Sequence, residues 1–307
     1  MKTLDELARE KCVLQPTDKT TFQRKARILQ SLWRKEQGYD AGIHRGQRLG
    51  SSLPMPWARE TLANYLNDAI RQVIREEVLD PDSSREKFFK PPRIFDNLLS
   101  SQPLAFNLFA VLSRDMSLAT RVFLQLTDGR CQRVTKIEFE HSPGRGMKEY
   151  LDDHSAFDVY VEFVGPSGKG FIGVEVKYHE DLQNEPSRHH DRYDEVAAAM
   201  GCFLPSSLAR LREKPLQQIW RDHMLAGAQL LHGDFKDGFF VLISPKDNAA
   251  CNDAVADYGN CLSSTKTFHH WTLEGVVAGI KQATSEQWIL DFEDRYLNFA
   301  KVDRLLG

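Results

Sequence analysis

The sequence lacks any run of about eighteen apolar residues, the length that a membrane-spanning helix requires. Its first residues, Met1 to Glu6, are also too polar for the apolar centre of a signal peptide. These two absences argue against membrane and exported proteins and predict a cytoplasmic location. Hydrophobic residues make up 41% of the 307 positions, which is sufficient for one large or two smaller cores.

Paired metal-binding cysteines are lacking as well. The five cysteines include no Cys-x-x-Cys pair, and the histidine pairs His189-His190 and His269-His270 are adjacent in sequence. Adjacent side chains point in different directions on a helix or a strand, so neither pair favours a shared zinc ion. The pattern instead indicates small buried cysteines in a reducing compartment.

An overall excess of positive charge is the third absence. The net charge is −3, so any binding of nucleic acid must be local. Residues 1–60 hold 12 basic and 7 acidic residues, and the rest of the chain is correspondingly acidic. We therefore predict that Arg45 and Arg48 contact nucleic-acid phosphates, although a solvated helix surface explains the same charge equally well.

Helical spacing dominates the N-terminal third. Apolar residues recur at helical intervals over 20–35 and 58–78, and the glycine- and proline-rich stretch 38–56 is interpreted as a loop. We expect a helical N-terminal extension over residues 1–95, followed by the main domain over 96–307.

In the main domain, the spacing of apolar residues changes along the chain between helical and alternating patterns. The segments predicted are a helix over about 104–116, alternating strands over 134–140, 157–163 and 171–178, a helix over 217–231, a buried strand over 239–243 and a helical tail from about 273. A three-stranded meander followed by a helix and a returning strand is typical of an α/β sandwich.

Three polar residues interrupt the apolar pattern of the second and third strands. Residues two apart share a face of a strand, so Glu175 and Lys177 lie together, and Asp158 projects from one face of its own strand. If the turn at 165–168 makes the two strands antiparallel neighbours, Asp158 meets the other two on one face. We predict a cluster of two carboxylates and one ammonium group.

That cluster suits phosphodiester hydrolysis. Carboxylates are the ligands that Mg²⁺ prefers, and a bound metal lowers the pKa of water and offsets charge on phosphate oxygens. The alternative is an ordinary ion pair between Glu175 and Lys177 on a wet sheet surface, worth about 0–1 kcal/mol. The alternative explains either motif alone, whereas the joint occurrence of Asp158, the turn and the Glu-x-Lys strand favours a catalytic site.

These residues resemble the motif of the PD-(D/E)XK nuclease superfamily, the fold of many restriction endonucleases. The matching residues are Asp158 and the Glu175-Val176-Lys177 triplet, within a resemblance that spans roughly residues 104–244. The stretches 97–103 and 217–226 are similar to a bacterial group of that superfamily to which no role is assigned. Phe157, where the motif has proline, is a departure that the superfamily tolerates.

The resemblance implies a restriction-endonuclease-like mixed sheet flanked by helices, with a helical N-terminal extension and a helical C-terminal tail. It implies that Asp158 and Glu175 bind Mg²⁺ (or Mn²⁺) and that Lys177 assists catalysis. Glu140 is a candidate third metal ligand, although a solvated strand-end carboxylate explains it as well. Arg188, Gln218 and Arg221 are further candidate contacts to nucleic acid, with a surface loop or helix as the alternative, and Gln218 and Arg221 could instead contact the active site.

The resulting prediction is a cytoplasmic, Mg²⁺-dependent endonuclease that hydrolyses DNA, in restriction or defence, with a homodimer favoured if it cuts both strands. One alternative is a catalytically inactive protein of this fold that binds nucleic acid or a partner protein. Another is a glycoside hydrolase with paired carboxylates, which has no use for a lysine two residues from the glutamate.

Overall fold

The computed structural model describes residues 2–307. The helices are α1 (Leu4–Glu10), α2 (Thr21–Glu36), α3 (Trp57–Thr61), α4 (Asp68–Ile74), α5 (Pro81–Ser84), α6 (Arg93–Asp96), α7 (Ser101–Arg114), α8 (Met116–Leu126), α9 (Asp191–Met200), α10 (Leu208–Leu211), α11 (Leu216–His232), α12 (Ala249–Gly259), α13 (Leu273–Ala283), α14 (Gln287–Tyr296) and α15 (Ala300–Leu306). The strands are β1 (Gly42–His44), β2 (Gln47–Leu49), β3 (Arg133–His141), β4 (Phe157–Gly165), β5 (Gly168–Val176), β6 (Asp237–Ser244) and β7 (Phe268–Thr272). A π-helical turn (Arg75–Leu79) follows α4, and a 3₁₀ turn (Pro205–Ser207) precedes α10.

The chain divides into two compact units. The first comprises residues 1–111 and 285–307, and the second comprises residues 112–284. This spatial division does not test the sequence-based boundary after residue 95, which stays a prediction. No helix among residues 2–307 is long and apolar enough to cross a bilayer.

The second unit is built on a five-stranded mixed sheet in the order β3-β4-β5-β6-β7. The pairs β3–β4 and β4–β5 are antiparallel, and β6 and β7 add to the sheet in parallel. The meander, the helix α11 and the returning strand β6 confirm the order predicted from periodicity. The mixed sheet with flanking helices is consistent with the restriction-endonuclease-like fold.

Helices cover the sheet of the second unit on its two faces. Helix α11 packs on β5 and β6 with α9 and α12 beside it, and α8 packs on β3 while α13 packs on α8 and β7. Because both faces are covered, β6 is apolar at nearly every position, as expected for a strand in the middle of a sheet. One aromatic-rich cluster under α11 contains Phe157, Tyr160 and Phe240, and this cluster borders the polar residues described below.

The first unit is helical, as the sequence predicts. It contains a fully buried arginine, Arg295, whose side-chain nitrogens all have hydrogen-bond acceptors. Helix α2 begins at a capping box in which Thr20 and Gln23 satisfy each other's backbone N–H groups. The Arg295 side chain of α14 is fully buried, and its nitrogens donate to Gln30 Oε1 at 3.0 Å and to Asn64 O and Oδ1 at 2.6 Å. The guanidinium carbon also lies 3.8 Å from the ring centroid of Trp33. Hydrogen bonds and stacking thus offset the cost of burying this cation.

Two local predictions were wrong. The stretch 38–56 contains the hairpin β1–β2, because Arg45 and Gly46 form a tight turn with positive φ at both positions. The helix expected over 58–78 is broken, since Leu62 adopts the left-handed conformation and Asn67 caps a new helix by accepting from Ile70 N.

The helix expected over about 104–116 is confirmed as α7, and a further helix, α8, which the sequence reasoning did not predict, follows it. They are separated at Asp115, whose side chain accepts from Leu118 N and so caps α8.

Candidate active site

The candidate site lies where β4 begins and β5 ends. Val159 pairs with Val174, and continuing this register by one residue places Asp158 opposite Glu175. Val176 N donates to Asp158 Oδ2 at 2.8 Å, which orients the aspartate along the end of β5. Lys177 is the first residue beyond β5, and its backbone N–H donates to Ile243 O of β6 at 2.8 Å. Backbone hydrogen bonds to neighbouring strands therefore position the Asp158 side chain and the Lys177 backbone.

Glycines allow β4 and β5 to approach in this way. The two strands join at a tight turn in which Gly165 pairs with Gly168, and Gly168 has a φ of +110°. Beneath the site, a Cβ atom on Gly173 would lie 2.4 Å from the ring of Phe157. The glycine at this position lets the phenylalanine ring pack across β5 directly beside the polar cluster.

Glu175 and Lys177 form a buried ion pair. Lys177 Nζ lies 2.6 Å from Glu175 Oε1, and the side chains are only 9% and 10% exposed. The wet-sheet alternative required a solvated pair, so the structure argues against it. Burial lowers the pKa of Lys177, but attraction to Glu175, Glu180 and Asp158 outweighs it, so the pKa lies above its ordinary value. Lys177 is consequently a permanent cation in this environment.

The positive charge near Asp158 is insufficient to offset its burial and the neighbouring carboxylates. Burial raises its pKa well above the ordinary value, and the negative charges of Glu175 and Glu140 raise it further. Lys177 and the N–H of Val176 oppose this rise without cancelling it. Carboxylates crowded in this way, with oxygen donors only, fit a hard divalent cation, which would relieve their repulsion.

Gln218 of α11 is the fourth member of the cluster. Its Nε2 donates to Glu175 Oε1 at 2.8 Å, the same oxygen that accepts from Lys177. The two donors hold one oxygen of Glu175 and leave Oε2 without a hydrogen bond among the described residues. Sequence reasoning predicted that Gln218 contacts either the DNA backbone or the active site, and its hydrogen bond to Glu175 places it at the candidate site.

The other predicted residues occupy different positions. Glu140 stands at the end of β3 with a φ of +51°, and it is half-buried. Arg221 donates to Ser187 Oγ and is partly buried. Arg188 is exposed and lies just before α9. The remaining pair, Arg45 and Arg48, belongs to the first unit, on the hairpin β1–β2.

Sequence reasoning missed Asp222, which lies one helical turn after Gln218. The residue is 2% exposed, and its Oδ2 has no hydrogen-bond partner among the described residues. Burial raises the pKa of Asp222 well above its ordinary value, and the charge of Glu175 adds to the rise. The i, i+4 spacing of Gln218 and Asp222 was the available signal, because such residues share one face of a helix.

A ready-made metal centre is not visible. Among residues 2–307, no three side chains of histidine, cysteine, aspartate or glutamate are grouped closely enough to hold a metal ion. The metal set of Asp158, Glu175 and Glu140 therefore stays a prediction, as do the catalytic roles.

Comparison with known proteins identifies the family. The model of a family described as the PD-(D/E)XK nuclease superfamily matches residues 16–298, nearly the whole chain. Neither the curated proteins nor the solved structures provide a match.

Proposed function

Because the chain belongs to the PD-(D/E)XK nuclease superfamily, we propose that it is a metal-dependent nuclease that hydrolyses DNA phosphodiester bonds. The observation that carries this proposal is the cluster of half-buried Asp158 with the buried Glu175–Lys177 pair at adjoining strand ends. An inactive protein of this fold would have no reason to bury two carboxylates and an ammonium group together, since burying charge costs stability.

Asp158 and Glu175 are the proposed ligands of Mg²⁺, for which Mn²⁺ can substitute, and Glu140 is the third candidate. When bound, the ion would supply a water of lowered pKa and offset negative charge on the phosphate. Asp158 offers a carboxylate held by Val176 N, and Glu175 offers Oε2 while its other oxygen is occupied.

Lys177 acts on the reacting groups in this proposal. Its cationic ammonium group orients the attacking water or stabilises charge on the pentavalent phosphorus oxygens. Gln218 is a positioning residue, because it contacts Glu175 and fixes the direction of that carboxylate. Its uncharged amide donates the hydrogen bond to the Glu175 carboxylate, so Gln218 holds Glu175 in place and adds no charge.

The proposal also names the residues that contact DNA, the oligomeric state and the cellular role. Arg188 and Arg221 are the proposed phosphate contacts in the second unit, and Arg45 and Arg48 those in the first. A homodimer would suit cleavage of both strands. We propose a cytoplasmic role in restriction or defence.

Plasmid nicking by the purified protein tests the proposal. Nicking is expected with Mg²⁺ or Mn²⁺ and not with EDTA, and Asp158→Asn should abolish it. Glu162→Gln is the matched control, because Glu162 is another half-buried carboxylate of β4 and should be dispensable. A wild-type protein that binds DNA and never cuts it with either metal would favour the inactive binding protein instead. A Glu162→Gln variant that fails as completely as Asp158→Asn would contradict the assignment of the site.

A further inference from the structure

The hairpin β1–β2 in the first unit has an arginine where the backbone disfavours it. Its two turn residues, Arg45 and Gly46, have φ values of +50° and +77°. Such turns are usually made by asparagine, aspartate or glycine, and a left-handed backbone costs other residues about 1–2 kcal/mol. Arg45 is exposed and has no hydrogen-bond or ion-pair partner among the described residues, so no contact within the protein explains it. A residue held at such a cost indicates a function.

Arg45 lines a cavity of about 400 Å³ that lies within the first unit. Its charged and polar lining includes Arg27, His44, Arg45, Arg93, Asp96 and Asn97. Arg27 is neutralised by its buried ion pair with Asp18, so Arg45 and Arg93 against Asp96 leave an excess of one positive charge, which favours an anionic ligand. The volume falls in the range of about 300–1,000 Å³ that is usual for small-molecule sites.

The frame of the cavity is preorganised by backbone hydrogen bonds. Leu53 N donates to Asp96 O at 2.9 Å, and Leu98 N donates to Ser51 O at 3.2 Å. Gly42 N donates to Ser52 O at 2.8 Å, and a Cβ atom on Gly42 would lie 2.4 Å from Leu53 O. The hairpin base is therefore locked against the segment that carries Asp96, and a ligand would meet a rigid site.

Asp96 and Asn97 provide a specific polar pattern on one wall. The Asp96 side chain is half-buried, and burial raises its pKa while nearby His44 opposes the rise. Asn97 Oδ1 accepts from Leu99 N at 2.9 Å, which leaves the Asn97 amide NH₂ as a donor. A carboxylate acceptor beside an amide donor complements the Watson–Crick edge of guanine, which presents N1–H and N2–H₂ donors beside the O6 acceptor.

We propose that this cavity binds a guanine nucleotide, with Arg45 and Arg93 on the phosphate and Asp96 and Asn97 on the base. The ligand is a free nucleotide or one guanine nucleotide of a nucleic acid, because both present the same chemistry. The proposal does not depend on the nuclease site, since every lining residue belongs to the first unit.

Isothermal titration of the full-length protein tests this site with GMP, AMP, CMP, UMP and inorganic phosphate. GMP should bind at least about tenfold more tightly than the other nucleotides, because only guanine presents two adjacent N–H donors to the Asp96 carboxylate on its Watson–Crick edge. In a second arm, a thymidine oligonucleotide with one guanine is compared with one that has none. A preference for the guanine oligonucleotide assigns the site to nucleic acid, and a preference for free GMP alone assigns it to a free nucleotide.

Two variants separate the phosphate and base contacts. Arg45→Gly retains the positive φ that the turn needs and should weaken binding of every nucleotide at least about tenfold. Asp96→Asn should remove the preference for guanine. Arg75→Ala is the matched control, since Arg75 is an exposed arginine of the first unit that does not line this cavity.

The nuclease site is tested separately in the same preparations. Asp158→Asn should bind GMP like the wild type, so failure of cleavage and failure of nucleotide binding are distinguishable. Wild-type protein without measurable GMP binding at millimolar concentration would overturn the proposal. Equal GMP affinity of Arg45→Gly and wild type would overturn it as well.

Discussion

Both units bury charged side chains, but they treat them differently. In the first unit, every donor nitrogen of Arg295 contacts an acceptor or lies beside one, and aromatic rings stack on the guanidinium. In the second unit, Asp222 is equally buried, yet its Oδ2 has no partner among the described residues and Arg221 Nε is 3.9 Å from its Oδ1.

The contrast distinguishes structural from functional polar groups. A satisfied buried cation costs little and fixes the packing of α14 on α2 within the first unit. Under-compensated carboxylates cost stability, and chains retain them where a ligand or a reaction requires them. On this criterion we propose that Asp158 and Asp222 belong to the functional region of the second unit, whereas Arg295 belongs to the core of the first.

The largest expected effect is at Lys177. Lys177→Met keeps an unbranched side chain and removes the charge, so metal-dependent DNA cleavage should fall by about 10²- to 10⁴-fold. The loss should appear in turnover and leave DNA affinity nearly unchanged, because the ammonium group acts on charge that develops in the transition state. Single-turnover cleavage and equilibrium DNA binding measure the two quantities.

Lys169→Met is the control for this substitution, since Lys169 is an exposed lysine of β5, the strand that Lys177 directly follows. It should cleave like the wild type. Equal cleavage by Lys177→Met and wild type would show that Lys177 is not part of the active site, and the two units would then differ only in how well they compensate buried charge.

A smaller effect is expected at Arg295, and it should be confined to stability. Arg295→Met removes a fully buried cation and leaves the Asn64 and Gln30 acceptors unpaired, which should cost about 3 kcal/mol of unfolding free energy. The midpoint of urea unfolding measures this loss. Arg304→Met, at an exposed arginine in α15, should change the midpoint by less than about 0.5 kcal/mol. Equal stability of Arg295→Met and wild type would show that Arg295 does not stabilise the core of the first unit.

The smallest effect concerns a satisfied buried group in the second unit. His223 of α11 is fully buried, and its ring nitrogens contact Tyr258 Oη at 2.9 Å and Thr267 Oγ1 at 2.8 Å. Burial, with a smaller contribution from His269, lowers the pKa of His223 to about 3. The unfolded chain therefore binds a proton that the folded protein excludes, at pH values between about 3 and 6.5.

The stability that neutral His223 contributes is complete above pH 6.5 and is lost as pH falls toward 3. The loss from this residue should approach about 1.4 kcal/mol per pH unit within that window. Urea unfolding of the wild type and of His223→Gln at several pH values isolates the effect, because other titrating groups cancel in the difference. Parallel pH profiles of the two proteins would mean that His223 does not exclude a proton.

Local periodicity was sufficient to predict much of the second unit. The strands β3, β4 and β5, the helix α11 and the common face of Asp158, Glu175 and Lys177 follow from alternation and a two-residue turn. These features depend on residues close in sequence, and their prediction was right for that reason. The family match over 16–298 agrees with the resemblance drawn from the same residues.

Other elements depended on distant parts of the chain. The strand β7 includes His269 and His270 and shows no alternation of apolar residues, so only its parallel pairing with β6 makes it a strand. The hairpin β1–β2 was taken for a loop because its strands have three residues each and are largely exposed.

The sequence by itself determined which residues could share a face, since backbone geometry alternates side chains along a strand. Only the tertiary structure decided which neighbouring groups offset the charges of those residues. The packing of α11 on β5 places Gln218 on Glu175, 43 residues away in sequence. Asp222, one helical turn further along α11, is buried with no hydrogen-bond partner for its Oδ2 among the described residues. Burial of a charge depends on what packs over it, and that is a property of the folded chain rather than of any local pattern.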